Sequence, residues 1–373
     1  MITLSNAQIV LPDSVLQGSL TIENGRITAI GDAPAGENME GDFLIPGIID
    51  LHTDNLERQV LPRSNARWPS RSAMLAHDAQ CAAAGITTVF DALCLGDIGF
   101  EKARNETFKD GYADLRELTD AGMLKTDHFL HLRCELPAPE MPELLQIALD
   151  DELVRLVSIM DHSPGIGGQY ADLERYRKMR QREGFSPSEV EEVVTRLQTN
   201  HHTYHRPNRD FVLEAVRRRG IPVASHDDRT EEEVARNHDD GIAISEFPVS
   251  LEAARAARRL NMQTIAGAPN IVRGGSHSGN VAVTDLIRAG VLDALASDYV
   301  PAAMLEAAFC AVAQGLLDLP QAIALVTSGP ADIAKLADRG RIAAGLRADL
   351  VQVRLFNGTP VIRAVWHQGK RIA

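Results

Sequence analysis

The chain has 373 residues, too long for one small domain and long enough for a single barrel of about 250 residues with an appendage. Hydrophobic residues make up 45% and charged residues 24%, which leaves ample material for a core. A formal net charge of −13 argues against general nucleic-acid binding, and no apolar run approaches the roughly 20 residues a bilayer span needs.

The N-terminus reads as short strands at 2–4, 7–11, 18–23 and 26–31, with Glu23-Asn24-Gly25 as a tight hairpin turn. It carries no basic region followed by an apolar one, so no targeting segment is expected. Strands at 349–355 and 360–367 close the chain, joined at Gln368-Gly369-Lys370 to its last residues. Neither end has strands enough to bury its own face. Residues 1–42 and 340–373 are therefore expected to pair into one small β-rich domain around residues 43–339.

Between these ends, strand and helix alternate. Apolar strands are predicted at 43–51, 87–93, 129–135, 154–160, 222–225, 242–247, 263–266 and 292–296, with helical stretches such as 72–84, 108–121, 209–219 and 250–260 between them. Eight such units predict an α/β fold, a (β/α)8 TIM-like barrel. A polar insert at about 163–208 reads as two helices with a cap at Ser186. Following a strand, it belongs on the C-terminal face, where barrels build their sites. Cys81, Cys94, Cys134 and Cys310 are scattered and form no CxxC pair, so they are expected to be reduced thiols in a cytoplasmic protein.

Chemistry-bearing residues recur at the predicted strand ends. His52 and Asp54 close the first strand with i, i+2 spacing, which places both on one face. Glu135 ends the third, His162 follows the fourth, His226 ends the fifth and Asp298 follows the eighth. Asp91, Glu246 and Asp227 also lie at or near strand ends, without an assigned part. Ionisable groups gathered on one barrel face cost stability unless paired or metal-bound. This set predicts a site for one or two divalent ions, with zinc favoured by the imidazoles and manganese by the carboxylates. Each residue has a plainer reading as well. His52 and Asp54 would serve a solvated turn, Glu135 an arginine pair, His226 a loop ion pair, and Asp298 a helix cap.

The seventh strand runs into Gly267–Asn280, a glycine-rich stretch with Arg273, Gly274, Gly275, Ser276 and His277. Small residues, backbone N–H groups and an arginine favour a phosphate, as does the barrel's common phosphate site after strands seven and eight. Arg206 is the better candidate for a phosphate contact in the basic 200–209 segment. The alternative for both is a solvated surface with no ligand.

Taken together, the run Pro46-Gly47-Ile48-Ile49-Asp50-Leu51-His52 and the C-terminal run Gly340–Val351 resemble the amidohydrolase superfamily over nearly the whole chain. Asp50–Glu57, Gly85–Ala92, His131–Glu135, Met160–Gly165 and Gly274–Asn280 are similar to its phosphonate-metabolism branch, which acts in the carbon–phosphorus lyase pathway. That resemblance implies a metal-dependent diphosphatase converting α-D-ribose 1-methylphosphonate 5-triphosphate to the 5-phosphate and pyrophosphate. It implies Asp298 as the residue that takes the water's proton. Here Asp54 stands where typical members carry a second histidine. The resemblance also implies Glu135, on strand three, as a substitute for the bridging lysine usual on strand four. The expected partner is a small phosphorylated anion, not nucleic acid or membrane, and self-association is left open. The alternatives are an amidohydrolase acting on a C–N bond (deaminase, deacetylase or cyclic-amide hydrolase) and, remotely, a non-catalytic scaffold.

Overall fold

The computed structural model describes residues 1–32, 35–63, 66–96, 104–166, 168–275 and 279–373. One sheet is built from both termini. Its strands lie in the order Lys370–Arg371, Thr359–His367, Leu350–Phe356, Phe43–Pro46, Ile2–Val10, Val15–Glu23 and Arg26–Gly31. Glu37–Asn38 pairs with Ile2–Val10 off this path. Asn24 and Gly25 both take positive φ, 50° and 76°, as a two-residue hairpin turn of the twist-matched kind requires. Leu4, Ile9, Leu20, Ile27, Leu44 and Trp366 form the core of this sheet.

The second sheet is the barrel. Its parallel strands are β1 (Ile48–Thr53), β2 (Ile86–Leu95), β3 (Asp127–Glu135), β4 (Val154–Met160), β5 (Val223–His226), β6 (Ile244–Glu246), β7 (Gln263–Gly267) and β8 (Ala294–Ala296), paired in sequence order. The first and last strands meet through a parallel bridge between Thr53 and Asp298. Ile49, Leu51, Phe90, Leu156, Ile244 and Ile265, from β1, β2, β4, β6 and β7, belong to one buried cluster. Helices α1 (Asn55–Val60), α2 (Ser70–Ala83), α3 (Arg104–Asp120), α4 (Met141–Ala148), α5 (Leu173–Arg182), α6 (Pro187–Arg219), α7 (Glu231–Asp239), α8 (Leu251–Arg259), α9 (Ala268–Val272), α10 (Val283–Arg288) and α11 (Ala303–Ala313) accompany them.

Two elements depart from the sequence reading. The single strand expected at 43–51 is two. Phe43–Pro46 pairs with Gln8 and Ile9 on one side and with Leu350–Val353 on the other, and β1 begins only at Ile48. Pro46 lacks a donor for a ladder and Gly47 makes the crossing between sheets. A Cβ on Gly47 would lie 2.2 Å from Thr87 Oγ1 and 2.9 Å from Asp349 Cβ, so only glycine fits. The insert's second helix does not stop before Pro207. Helix α6 runs 33 residues, through that proline, into the helix of the fourth unit. The start matches expectation, with a reciprocal capping box between Ser186 and Glu189. Beyond the proline, Asn208 Nδ2 donates to Leu136 O at 2.8 Å and Ala138 O at 2.9 Å, while Val212 and Val216 are buried. These tertiary contacts outweigh the one backbone bond that proline removes.

Candidate metal centre

The C-terminal strand ends surround a cavity of about 490 Å³, and His52, Asp54, His162, His226 and Asp298 all line it. Five of the six predicted ligands thus share one space. The alternation of β1 sends Asp50, His52 and Asp54 to one side. Buried Asp50 accepts from the backbone N–H groups of Ser297 (3.0 Å) and His52 (3.3 Å), tying the first strand to the eighth. Burial pushes the Asp50 carboxyl up to about 6, against those hydrogen bonds.

His52 Nδ1 lies 2.9 Å from Glu246 Oε1, which leaves Nε2 3.4 Å from Asp54 Oδ1 with no hydrogen bond. Burial opposes charge on this ring, yet the Glu246 carboxylate prevails and holds its pKa up at about 10. Asp54 Oδ1 accepts from Arg133 Nη1 at 2.6 Å; despite burial, that guanidinium holds the carboxyl well below the usual carboxylate range.

Asp298 is fixed through its backbone. Its N–H donates to His52 O at 3.0 Å, and its carbonyl accepts from Asp54 N at 2.6 Å. Burial and the neighbouring Asp54 charge push its carboxyl up to about 6. The helix-cap reading does not hold, because the N-cap of α11 is Ala302.

Among the described residues, three non-glycine residues just past the C-terminal ends of barrel strands take positive φ: Asp227 (61°), Phe247 (52°) and Asp298 (57°). Such backbone is costly and collects at functional sites. At Asp227 the reason is visible. Neighbours in a strand point to opposite faces, so His226 and Asp227 would part. The left-handed turn breaks the alternation and brings His226 Nδ1 within 3.3 Å of Asp227 Oδ2, with His162 Nε2 3.9 Å from the same oxygen.

Ligand-type atoms lie within 4.8 Å of one another in three overlapping groups here: His52, Asp54 and Asp298; His52, His226 and Glu246; His162, His226 and Asp227. His226 is shared by two groups and His52 by two. Buried His52 Nε2, both ring nitrogens of His226 and Glu246 Oε2 make no hydrogen bond among the described residues. Unpaired buried polar atoms of this kind are costly. Three imidazoles with several carboxylates fit divalent cations of the zinc class, and two adjacent positions fit a pair.

Glu135 stands differently from the other predicted ligands. Both its oxygens are engaged by His162, from the ring Nδ1 at 2.6 Å and from the backbone N–H at 2.8 Å. No ligand group among the described residues includes it. It orients His162, as carboxylates behind metal-ligating histidines do, and Glu246 does the same for His52.

Of the predicted phosphate contacts, Arg273 and Gly275 line the cavity, and Arg273 Nη1 donates to Tyr299 Oη at 3.2 Å. The stretch after β7 is not a loose anion loop throughout, because Ala268–Val272 is helical. The N–H groups of Gly274 and Gly275 turn back onto Ile271 O and Asn270 O. Ser276 and His277 lie outside the described residues. Arg206 is not at this site. It is 74% exposed, pairs with Asp210 one turn along α6, and lines a second cavity beyond Asp227.

Sequence reasoning gave no part to Asp227, Glu246, Asp50 or Arg133. Glu246 carried a usable signal, its place on strand six. Asp227 carried the same strand-end signal, but not the left-handed turn that brings it beside His226.

Residues 79–373 match the model of the amidohydrolase family. A curated relative from Escherichia coli (strain K12), alpha-D-ribose 1-methylphosphonate 5-triphosphate diphosphatase, is 42% identical over 99% of this chain and 99% of its own length. Solved structures of similar fold include 5-methylcytosine deaminase from Klebsiella pneumoniae, at 16% identity and TM-score 0.63, covering 100% of this chain and 98% of that one. N-acetylglucosamine-6-phosphate deacetylase from Pasteurella multocida matches at 15% identity and TM-score 0.63, covering 100% and 99%. At such low identity these structures speak for the fold alone. The barrel with its terminal sheet, the ligand-type side chains at its strand ends and the match along most of its length place this chain in the amidohydrolase family.

Proposed function

We propose that this protein hydrolyses α-D-ribose 1-methylphosphonate 5-triphosphate to the 5-phosphate and pyrophosphate. The observation that carries the reading is the end-to-end similarity to the Escherichia coli diphosphatase. The cavity agrees with it in chemistry, having imidazoles and carboxylates on one wall and Arg273 at its rim.

One or two divalent cations, of zinc or manganese type, held by His52, Asp54, His162, His226 and Asp298 with Asp227 and Glu246 beside them, would supply a Lewis acid that acidifies water and offsets phosphoryl charge. The side chains do the rest. Asp298 accepts the proton of the attacking water on a carboxylate oxygen, its position fixed by the backbone bonds to His52 and Asp54. The water oxygen bonds to the phosphorus nearest the ribose. The bond from that phosphorus to the bridging oxygen breaks, and pyrophosphate leaves with the bonding pair. Arg273 neutralises phosphate oxygens at the mouth. Arg133 keeps Asp54 ionised, and Glu135 and Glu246 hold the rings of His162 and His52 through Nδ1.

Phosphorus NMR of zinc-loaded protein with this triphosphate tests the reading. The expected result is stoichiometric pyrophosphate with the ribose 5-phosphate product. Stepwise release of orthophosphate, or an unchanged triphosphate, rejects it.

A further inference from the structure

A second cluster of ligand-type side chains lies outside the centre described above. His201 and His205 stand four residues apart on α6, so they share one face of that helix. Their rings are 4.7 Å apart between centroids. Both present Nδ1 to the same oxygen, Asp161 Oδ2, at 2.5 Å from His201 and 2.7 Å from His205. Asp161 follows β4, so the cluster joins the insert to the barrel rim. Its other oxygen, Oδ1, accepts from the backbone N–H of Ser163 at 2.9 Å, which fixes the rotamer. One ligand atom from each of the three residues lies within 4.8 Å of the others.

Two imidazoles at i, i+4 on a helix and one carboxylate from another element make a common half-cage for a divalent cation. The surroundings favour positive charge. The three residues line a second cavity, of about 590 Å³, whose wall also carries Asp227, Asp228 and Glu233. The wall also carries Arg206, Arg209 and Arg236, and each is engaged: Arg206 by Asp210, Arg209 by Asp240 and Asn237, and Arg236 by Glu232 O. The cluster is partly exposed, at 16–30% for its three side chains, so a cation can enter and keep solvent in its remaining positions.

We infer that Asp161, His201 and His205 form a separate site for one divalent cation of the zinc class, which ties α6 to the end of β4. The plainer role for the same atoms is a hydrogen-bonded clasp, with each ring donating to Asp161. The two roles separate under substitution by asparagine, whose amide donates much as Nδ1–H does but binds zinc poorly. Wild type and a His201→Asn/His205→Asn variant are each equilibrated with excess zinc sulfate, desalted and measured for zinc by elemental analysis. The variant is expected to hold one zinc fewer per chain, with its zinc-dependent thermal midpoint lowered and turnover of the triphosphate retained. Equal zinc content in the two proteins overturns the site. A His205→Asn single variant, which disturbs α6 less, is expected to show the same loss at zinc concentrations near one equivalent of the wild-type sites. Unchanged zinc there also counts against it.

Discussion

At the residue scale, the centre depends on one repeated device: an ionisable side chain oriented by a second one. Glu135 holds His162, Glu246 holds His52 and Arg133 holds Asp54. Asp298 is oriented by backbone instead, and its carboxyl is left near Asp54, whose charge with burial raises its pKa. This makes Asp298→Asn a clean test. The two side chains are nearly isosteric and the backbone clamp remains, so fold and most bound metal are expected to persist. Turnover is expected to fall by about 10²–10⁴-fold, the range general-base catalysis supplies. The base must be ionised to act, so wild-type rate falls as pH drops through its pKa, and that acidic limb is expected to vanish in the variant. Steady-state kinetics across pH on one preparation checks both; near-normal turnover would remove Asp298 from the reaction.

At the element scale, the break at Gly47 decides how the two sheets meet. The chain leaves the terminal sheet at Pro46 and enters the barrel at Ile48, with Gly47 N donating to Asp349 O at 2.7 Å. There is no room for a side chain between Thr87 and Asp349. Gly47→Ala is therefore expected to destabilise the protein by about 1–3 kcal/mol, the usual scale of forcing a methyl group into a filled space. Urea unfolding followed by circular dichroism measures it, and a midpoint equal to wild type would show that the junction yields easily. Since β1 carries His52 and runs directly into Asp54, the same strain is expected to reach the centre. Helix α6 shows the opposite lesson. A proline that reads as a helix end is carried through, because the residues after it are pinned by the barrel.

At the scale of the whole molecule, the terminal sheet is latched to the barrel at the end remote from the centre. Asp127, at the start of β3, accepts from Arg347 at 2.6 Å and from Arg339, and lies 3.1 Å from His367 Nε2. Burial would raise its pKa, but the His367 hydrogen bond and the charges of Arg347 and Arg339 hold it well below the usual carboxylate range. A carboxylate depressed in the folded state contributes stability above its unfolded pKa of about 3.9, and that contribution is lost as pH falls toward the folded value. Asp127→Asn is expected to lower the thermal midpoint at pH 7 and to leave a shallower decline between about pH 5 and 2. Kinetic constants at neutral pH should stay near wild type. An unchanged midpoint at pH 7 would show that the latch contributes nothing.

Much of this was legible without coordinates. Eight apolar strands alternating with helices bury their faces well as a closed parallel sheet, and two strand-rich ends too small to stand alone pair with each other. Residues such as His52, Asp54, His226 and Asp298 announced themselves because a polar ligand type ended an apolar strand. What only the tertiary structure decided was how neighbours face one another. Asp227 joins the centre through a left-handed backbone turn that its identity does not encode. Glu135 spends both oxygens on His162, and Arg206 lands on the far side of Asp227 because α6 continues through Pro207. Periodicity is local and is carried by the chain itself; backbone inversion, partner choice and the path of a long helix are set by contacts between segments far apart in sequence.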